Sequence, residues 1–475
     1  MISSPNLMEP VWGVDLEDLN KPEVVRQRAF RGAQTLPEMP GLSMEQQALA
    51  LDSALQSIYV PTDQGCDILV RCIQRMQAFQ RARYPDAKTY VGHIYGGAPQ
   101  TDGGQFTCLT GLAGVGKSAL MDALERVLPS TRKITPNTAD SDIEIDLIRR
   151  LKVASKSTDG MVFRALANPL YAAESEKLNR SLAIEHLTQW FYNRLVLLLV
   201  IDEMQFLTQS LTANTRIAQL LMALGYPGVP VFYVANYSLV HRLAGRPQEE
   251  RQRLLPDAIV LLPDGPESSS WCALLEEYVR AAPHIIRIDP VRDAATLHAY
   301  SGGLRRLLRQ LFVKTLQYEN PSCDGRITMA RIGELYASHH YVNQRMDVEA
   351  MASLSMSPLL AASRRDLVCP FGDQADKHTS KRQRTTQTVT TPTRAALHML
   401  ESTLSPTARD TLKDLRAGGQ AVADKTRAKA SVQPLRRKGA VTADDLLAGA
   451  KAVRAMIDGK TPNAPEPPGP ENKDG

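Results

Sequence analysis

Aromatic residues, paired cysteines and long apolar runs are all in short supply, and each shortage closes off a class of protein. Phe, Trp and Tyr make up 5% of the 475 residues. The six cysteines include no C-x-x-C pair, which leaves no thiol-redox motif and no zinc knuckle. Cys66 and Cys72 fall on one expected helix and read as small buried hydrophobes, so a reduced, cytoplasmic compartment is expected. The longest apolar run, Leu195 to Ile201, spans 7 residues. A membrane-crossing helix needs about 18, so none is expected. No charged-then-apolar leader opens the chain, and no secretory signal is expected. His339-His340 is an adjacent pair without helical ligand spacing and reads as surface. The net charge of +5 permits a nucleic-acid partner without requiring one.

What is present is a complete phosphate-binding motif. Gly111-x-x-x-x-Gly116-Lys117-Ser118 follows the apolar run Phe106 to Thr110 and opens a helical stretch, Ser118 to Leu128, that Pro129 stops. Strand, glycine loop and helix are what the motif requires. The backbone of Gly111, Ala113, Gly114, Val115, Gly116 and Ala119 is expected to turn its N–H groups around phosphates at the positive end of the helix. Lys117 then reaches the β- and γ-phosphates, and the Ser118 hydroxyl sits on Mg²⁺. The expected cofactors are ATP and Mg²⁺.

The Leu195–Ile201 run reads as a central parallel strand covered on both faces, ending on Asp202-Glu203. Two carboxylates are thereby placed at the carboxyl edge of a sheet, where α/β folds bind ligands. Asp202 is expected to organise the Mg²⁺ shell and Glu203 to polarise the attacking water. Val229 to Ala235 is a further buried strand, ending on Asn236, whose amide is expected between the two acids and the γ-phosphate. An arginine-dense helix carrying Arg242, Arg246, Arg251 and Arg253 precedes the strand-like Ala258 to Leu262. Arg251 and Arg253 are the candidates for a finger that meets a neighbouring subunit's γ-phosphate. Gly302-Gly303-Leu304-Arg305 opens a helix and is expected to send Arg305 back toward the nucleotide.

Around these signals the spacing predicts a helix from a Thr62 cap to about Arg83, with its arginines on a solvated face. A strand is expected near Lys133 to Thr135, then a helix capped by Ser141 with Ile143, Ile145, Leu147, Ile148 and Leu151 buried, then a helix from about Glu174 to Asn193. The basic end of the middle helix supplies candidate DNA contacts: Lys152 and Lys156, with Arg149 and Arg150 as structural competitors. Residues 1–60, rich in proline, read as an extended arm in which Trp12 is a candidate docking anchor. Beyond Ile288 the pattern is helical. Residues 346–475 are basic, poor in apolar groups and expected to be largely disordered, with short docking helices.

This order of motifs resembles the AAA+ ATPases. Leu199-Val-Ile-Asp-Glu-Met-Gln-Phe206, the stretch Gln252 to Asp264 and Ser269-Ser-Trp271 are similar to the TnsC/TniB regulators of multi-component DNA transposition. The resemblance covers about residues 60 to 345. It implies an α/β AAA+ P-loop NTPase with a parallel five-stranded sheet flanked by helices over residues 61–290 and a small helical lid over 291–345. It also implies subunits that assemble as a ring or helical filament on double-stranded DNA, independent of sequence, and link a target-selection protein to a DDE transposase. Helicase loaders and replication initiators are the alternative within AAA+, and a STAND-like signalling NTPase without DNA binding is the alternative outside that use. No winged-helix or zinc module is recognisable after the lid.

Overall fold

The computed structural model describes residues 13–39, 41–99, 101, 103–130, 133–135, 142–152, 162–163, 166, 180–203, 213–318, 325–354 and 363–371. A 3-10 turn, Glu17–Asn20, leads into α1 (Pro22–Ala29), α2 (Met44–Ser57), α3 (Asp63–Arg83) and α4 (Ala87–Gly96). β1 (Phe106–Gly111) and α5 (Lys117–Val127) carry the glycine loop between them. Next come β2 (Lys133–Ile134), β3 (Ile143–Glu144), β4 (Ile148–Lys152), α6 (Arg180–Asn193) and β5 (Leu198–Asp202). They are followed by α7 (Ala213–Gly225), β6 (Val231–Asn236), α8 (Tyr237–Ala244), α9 (Gln248–Leu254) and β7 (Ala258–Leu261). The described chain closes with α10 (Ser269–Ala281), β8 (Ile286–Arg287), α11 (Ala294–Ser301), α12 (Arg305–Gln317), β9 (Ile327–Thr328), α13 (Met329–Ala337) and α14 (Val342–Ser353).

Five strands form one sheet in the order β4-β5-β6-β1-β7. Every neighbouring pair is parallel. β5 is buried at all five positions and β6 at five of six, as strands covered on both faces must be. The parallel direction brings the ends of β1, β5 and β6 to one edge, and Gly111, Asp202 and Asn236 stand there together.

The expected helix after the first hairpin strand is instead β3 and β4. Leu197 and Leu198 donate their N–H groups to the Leu147 carbonyl, and β4 pairs with β5 from Ile148↔Leu198 to Lys152↔Asp202. Ile143, Ile145 and Leu147 repeat every second residue, the period of a strand. β4 lies at the sheet edge and carries Arg149, Arg150 and Lys152, and that mixture imitates an amphipathic helix. Ser141, its expected cap, lies outside the described residues, as do 174–179 of the next expected helix. β2 is where expected but pairs with β3 in a separate ribbon. β8 and β9 form another small ribbon, and β9 lies inside the region beyond Ile288 that was expected to be wholly helical.

α3 begins where expected: the Thr62 hydroxyl accepts the Gly65 N–H at 2.8 Å. Its arginines are not simply solvated. Arg71 and Arg75 both pair with Asp257, before β7, and Arg81 pairs with Glu17.

The apolar residues separate into two cores. The sheet core takes in Val14, Leu16, Leu19, Val25 and Ala29 from the N-terminal region, besides the strands and α3, α5 and α8. The lid core joins Trp271, Leu274, Leu275, Tyr278, Leu308, Leu311 and Phe312 to Ala48, Leu51 and Leu55 of α2. The extended arm expected for residues 1–60 is therefore corrected over its described part, because its apolar residues complete both cores. A capping box, Ser43 with Gln46, starts α2. Trp12 lies outside the described residues. The lid core begins at α10, ahead of the expected boundary at 291. α14 and residues 363–371 are ordered parts of the expected tail: Phe371 packs on the sheet core and His241 Nε2 lies 3.0 Å from the Val368 carbonyl oxygen. Residues 372–475 lie outside the described residues.

Candidate nucleotide-binding site

A cleft of about 400 Å³ opens at the carboxyl edge of the sheet, between the glycine loop and the lid. Ala113, Gly114, Gly116, Lys117, Ser118 and Ala119 form its floor, and Asp202, Glu203 and Asn236 line the sheet side. Gly114 has φ 84°, and a Cβ there would stand 2.8 Å from the Arg306 Cβ. Only glycine satisfies both that conformation and that approach. Lys117 Nζ donates to the Gly111 and Leu112 carbonyls at 2.9 and 2.8 Å. Burial, reinforced by the nearby Arg306 charge, pushes the Lys117 ammonium down to about 8.

The sheet presents its acids in the expected order. Asp202 is 2% exposed. Its Oδ1 accepts the Ser118 hydroxyl at 3.3 Å and the Glu203 N–H at 2.9 Å. Glu203 adopts φ 62°, a left-handed conformation uncommon for a side-chain-bearing residue and frequent at functional sites. A hydroxyl and a carboxylate, both oxygen donors, suit Mg²⁺ shared with phosphate oxygens and water. Among the described residues no cluster of three His, Cys, Asp or Glu forms a protein-only metal cage.

From the lid come Arg305, Arg306 and Arg309. Arg305 Nη2 donates to the Val60 carbonyl at 2.9 Å and lies 3.3 Å from Asp264 Oδ2, with its guanidinium 5.5 Å from the Tyr59 ring centre. Gly303 makes this possible: it has φ 68°, and a Cβ would fall 2.6 Å from His298 Nε2. His298 is itself half-buried, and that desolvation pushes its imidazole below the ordinary range. Arg306 donates its backbone N–H to the Gly114 carbonyl at 3.2 Å, so the lid touches the phosphate loop directly. Arg309 pairs with Asp52 of α2 at 3.0 Å. The sequence reading found Arg305 but missed Arg306 and Arg309. The period of α12 could have found Arg309, one turn beyond Arg305 on the same face.

The residues expected to touch DNA do not stand together. Arg150 is corrected to the nucleotide site, where Nη2 donates to Asp202 Oδ2 at 2.8 Å. For Arg150, burial costs the guanidinium, but bonds to Asp202 and Asp122 more than offset it and raise its pKa. Arg149 stacks on Trp190, 4.9 Å from the ring centre, and lies 3.4 Å from Asp146. Both are committed to the fold. Lys152 is exposed at the end of the edge strand, and Lys156 lies outside the described residues.

Arg251 and Arg253 are exposed on α9 and pair with no carboxylate among the described residues. The expected single arginine-dense helix is two, broken at Arg246-Pro247, and Arg246 is tied to Glu250 at 2.6 Å. Arg253 lines a different cleft, of about 480 Å³, beside Arg75, Phe106, Tyr226 and Asp257 where β1 begins. It cannot serve the nucleotide cleft of its own chain.

Residues 100–254 match the family model of the AAA domain. Sheet order, loop and paired acids are those of the AAA+ P-loop fold. No curated protein matches the chain in sequence. Among solved structures, the Aeropyrum pernix ORC1 protein in complex with DNA is similar at 17% identity, over 65% of this chain and 78% of that one, with a TM-score of 0.32. Drosophila ORC bound to DNA is similar at 14% identity, over 85% and 91%, with a TM-score of 0.35. C. elegans PCH-2 is similar at 14% identity, over 63% and 72%, with a TM-score of 0.34. At such scores none of these likenesses bears on what this chain binds. Among the described residues no helix is long and apolar enough to cross a membrane.

Proposed function

We propose that this protein is an ATP-dependent, DNA-binding AAA+ regulator that oligomerises on its target and times assembly by hydrolysis. The observation that carries the reading is the incomplete cleft: Lys117, Ser118, Asp202, Glu203 and Asn236 meet in one chain, whereas Arg251 and Arg253 are exposed away from it. In this reading Lys117 binds the phosphates and Ser118, oriented by Asp202, holds Mg²⁺, whose chemistry is to neutralise charge on the transferred phosphoryl group. Glu203 takes the proton of the attacking water, Asn236 fixes that water against the γ-phosphate, and Arg305 or Arg306 joins from the lid. A neighbour's Arg253 or Arg251 completes the charge stabilisation in trans.

Within this class the motif resemblance favours a TnsC-type regulator of DNA transposition, with exposed Lys152 as a phosphate contact and a DDE transposase and target-selection protein as partners. Lys117→Ala should abolish ATP binding, and Glu203→Gln should bind ATP, hydrolyse it at least about 100-fold more slowly and remain on duplex DNA. Rapid turnover by Glu203→Gln defeats the hydrolytic assignment. Mixing Arg253→Ala with Lys117→Ala subunits should restore part of the ATPase activity, since each supplies what the other lacks; no recovery with Arg253 or Arg251 variants means that another arginine, Arg246 first, is the finger or that the site is complete in one chain. Recruitment of a helicase instead of a transposase would place the protein among loaders.

A further inference from the structure

Each of the three basic residues of β4 meets a different fate: Arg149 stacks on Trp190, Lys152 is exposed, and Arg150 enters the nucleotide site. Arg150 is 10% exposed along its side chain. Its Nη2 donates to Asp202 Oδ2 at 2.8 Å and to the Ser118 carbonyl at 3.3 Å. Its Nη1 donates to Asp122 on α5 and lies 3.5 Å from Glu125 Oε1. One guanidinium thus ties the edge strand to β5 beside it and to the helix after the glycine loop.

We propose that Arg150 is the resident counter-ion of Asp202, a positioning residue that keeps the cleft open to a nucleoside triphosphate before Mg²⁺ is engaged. The inference rests on the reading of the cleft as an ATP site. Asp202 divides its oxygens between two tasks. Oδ1 faces Ser118, the side from which a metal is held, while Oδ2 belongs to Arg150. Both tasks can be met at once, so Arg150 need not move when Mg²⁺ arrives. Without it, Asp202, Asp122 and Glu125 would oppose the triphosphate, against Lys117 from the loop and, from the lid, Arg306 together with Arg305 and Arg309, which are already paired with Asp264 and Asp52. A buried carboxylate stripped of its partner is costly, and its repulsion of an incoming anion is weakly screened. Mg²⁺ removes that repulsion when present; Arg150 removes it when Mg²⁺ is absent.

The test is a titration of the full-length protein with a fluorescent ATP analogue, once in excess Mg²⁺ and once in EDTA. The wild type must bind in Mg²⁺; if it does not, the nucleotide reading fails and not this one. Arg150→Gln should lose about tenfold or more in EDTA and less than about threefold in Mg²⁺. Arg150→Lys keeps the charge and should retain most of the binding in EDTA. Adding Asp202→Asn to Arg150→Gln should return the EDTA affinity to within about threefold of wild type, because the uncompensated charge has gone. Equal losses in both media, or no loss in either, overturn the proposal. Should Arg150→Gln not fold, Asp202→Asn alone decides: with the Asp202 charge gone and Arg150 still held by Asp122, EDTA binding should tighten, and weakened binding overturns the proposal.

Discussion

The sheet core is drawn mainly from one continuous region, whereas the lid core is closed by a helix from far upstream. Between Phe106 and Asn236 the strands β1, β5 and β6 announce themselves as apolar runs, and each run ends at the sheet edge where the nucleotide cleft opens. The lid core needs α2, over 200 residues before α10, to bury Leu308, Leu311 and Phe312. Arg309, paired with Asp52, connects that helix to the cleft, and Arg305, bonded to the Val60 carbonyl, connects the segment that follows it. A core assembled locally is readable from local periodicity. A core assembled from distant pieces is readable only when the missing face is noticed.

The sharpest way to break this comparison is to cut a matching cavity in each core. Leu199 in β5 and Leu51 in α2 are both 0% exposed. Each Leu→Ala change should cost about 2–5 kcal/mol. Leu199→Ala should lower the main unfolding transition and remove ATP binding with it. Leu51→Ala should weaken ATP binding through the lid while the sheet retains most of its hydrogen-exchange protection. Identical protection losses across sheet and lid in both variants would show the two cores to be one cooperative unit.

A gentler change isolates α2 without opening a cavity. The Ser43 hydroxyl accepts the Gln46 N–H at 3.2 Å, and the Gln46 side chain accepts the Ser43 N–H at 3.0 Å. Ser43→Ala should cost about 1 kcal/mol, read as faster exchange in residues 44–57 and unchanged exchange in β5 and β6. Faster exchange throughout would mean that α2 is integral to the sheet as well.

The same contrast explains what could be read beforehand. The glycine loop, Asp202, Glu203, Asn236 and the Thr62 cap were legible because each sits at the end of a strong local pattern. The capping box at Ser43 was equally legible, yet Pro37 and Pro40 before it suggested an extended arm. β4 was not legible: an edge strand carrying Arg149, Arg150 and Lys152 shares its spacing with an amphipathic helix. Arg150 read as a DNA contact because its partners, Asp122 and Asp202, lie on two other elements. Arg306 differs from Arg305 by one position, and nothing in the local pattern says which of them meets Gly114; in the structure it is Arg306.

The smallest effect is the most direct probe of where the two cores meet. Lys117 opens α5 on the sheet side of the cleft and Arg306 belongs to the lid; burial, reinforced by that neighbour, pushes the ammonium from 10.5 to about 8. In the unfolded chain the group holds its proton to about 10.5, so between pH 8 and 10.5 the unfolded state binds more protons. Stability traceable to Lys117 therefore rises with pH across that window, and the cost of burying the charge is present in full below it. Phosphate oxygens favour the charged form and should draw the pKa back up, so ATP binding at pH 8 should take up about half a proton at Lys117. Calorimetry in buffers of different ionisation enthalpy measures that uptake. Arg306→Ala removes the lid's share of the shift while burial remains, so its proton uptake at pH 8 should be smaller than the wild type's but not zero. Equal uptake in the two proteins would mean that the sheet sets the lysine alone and that the lid, though it touches Gly114, does not act on the phosphate-binding charge.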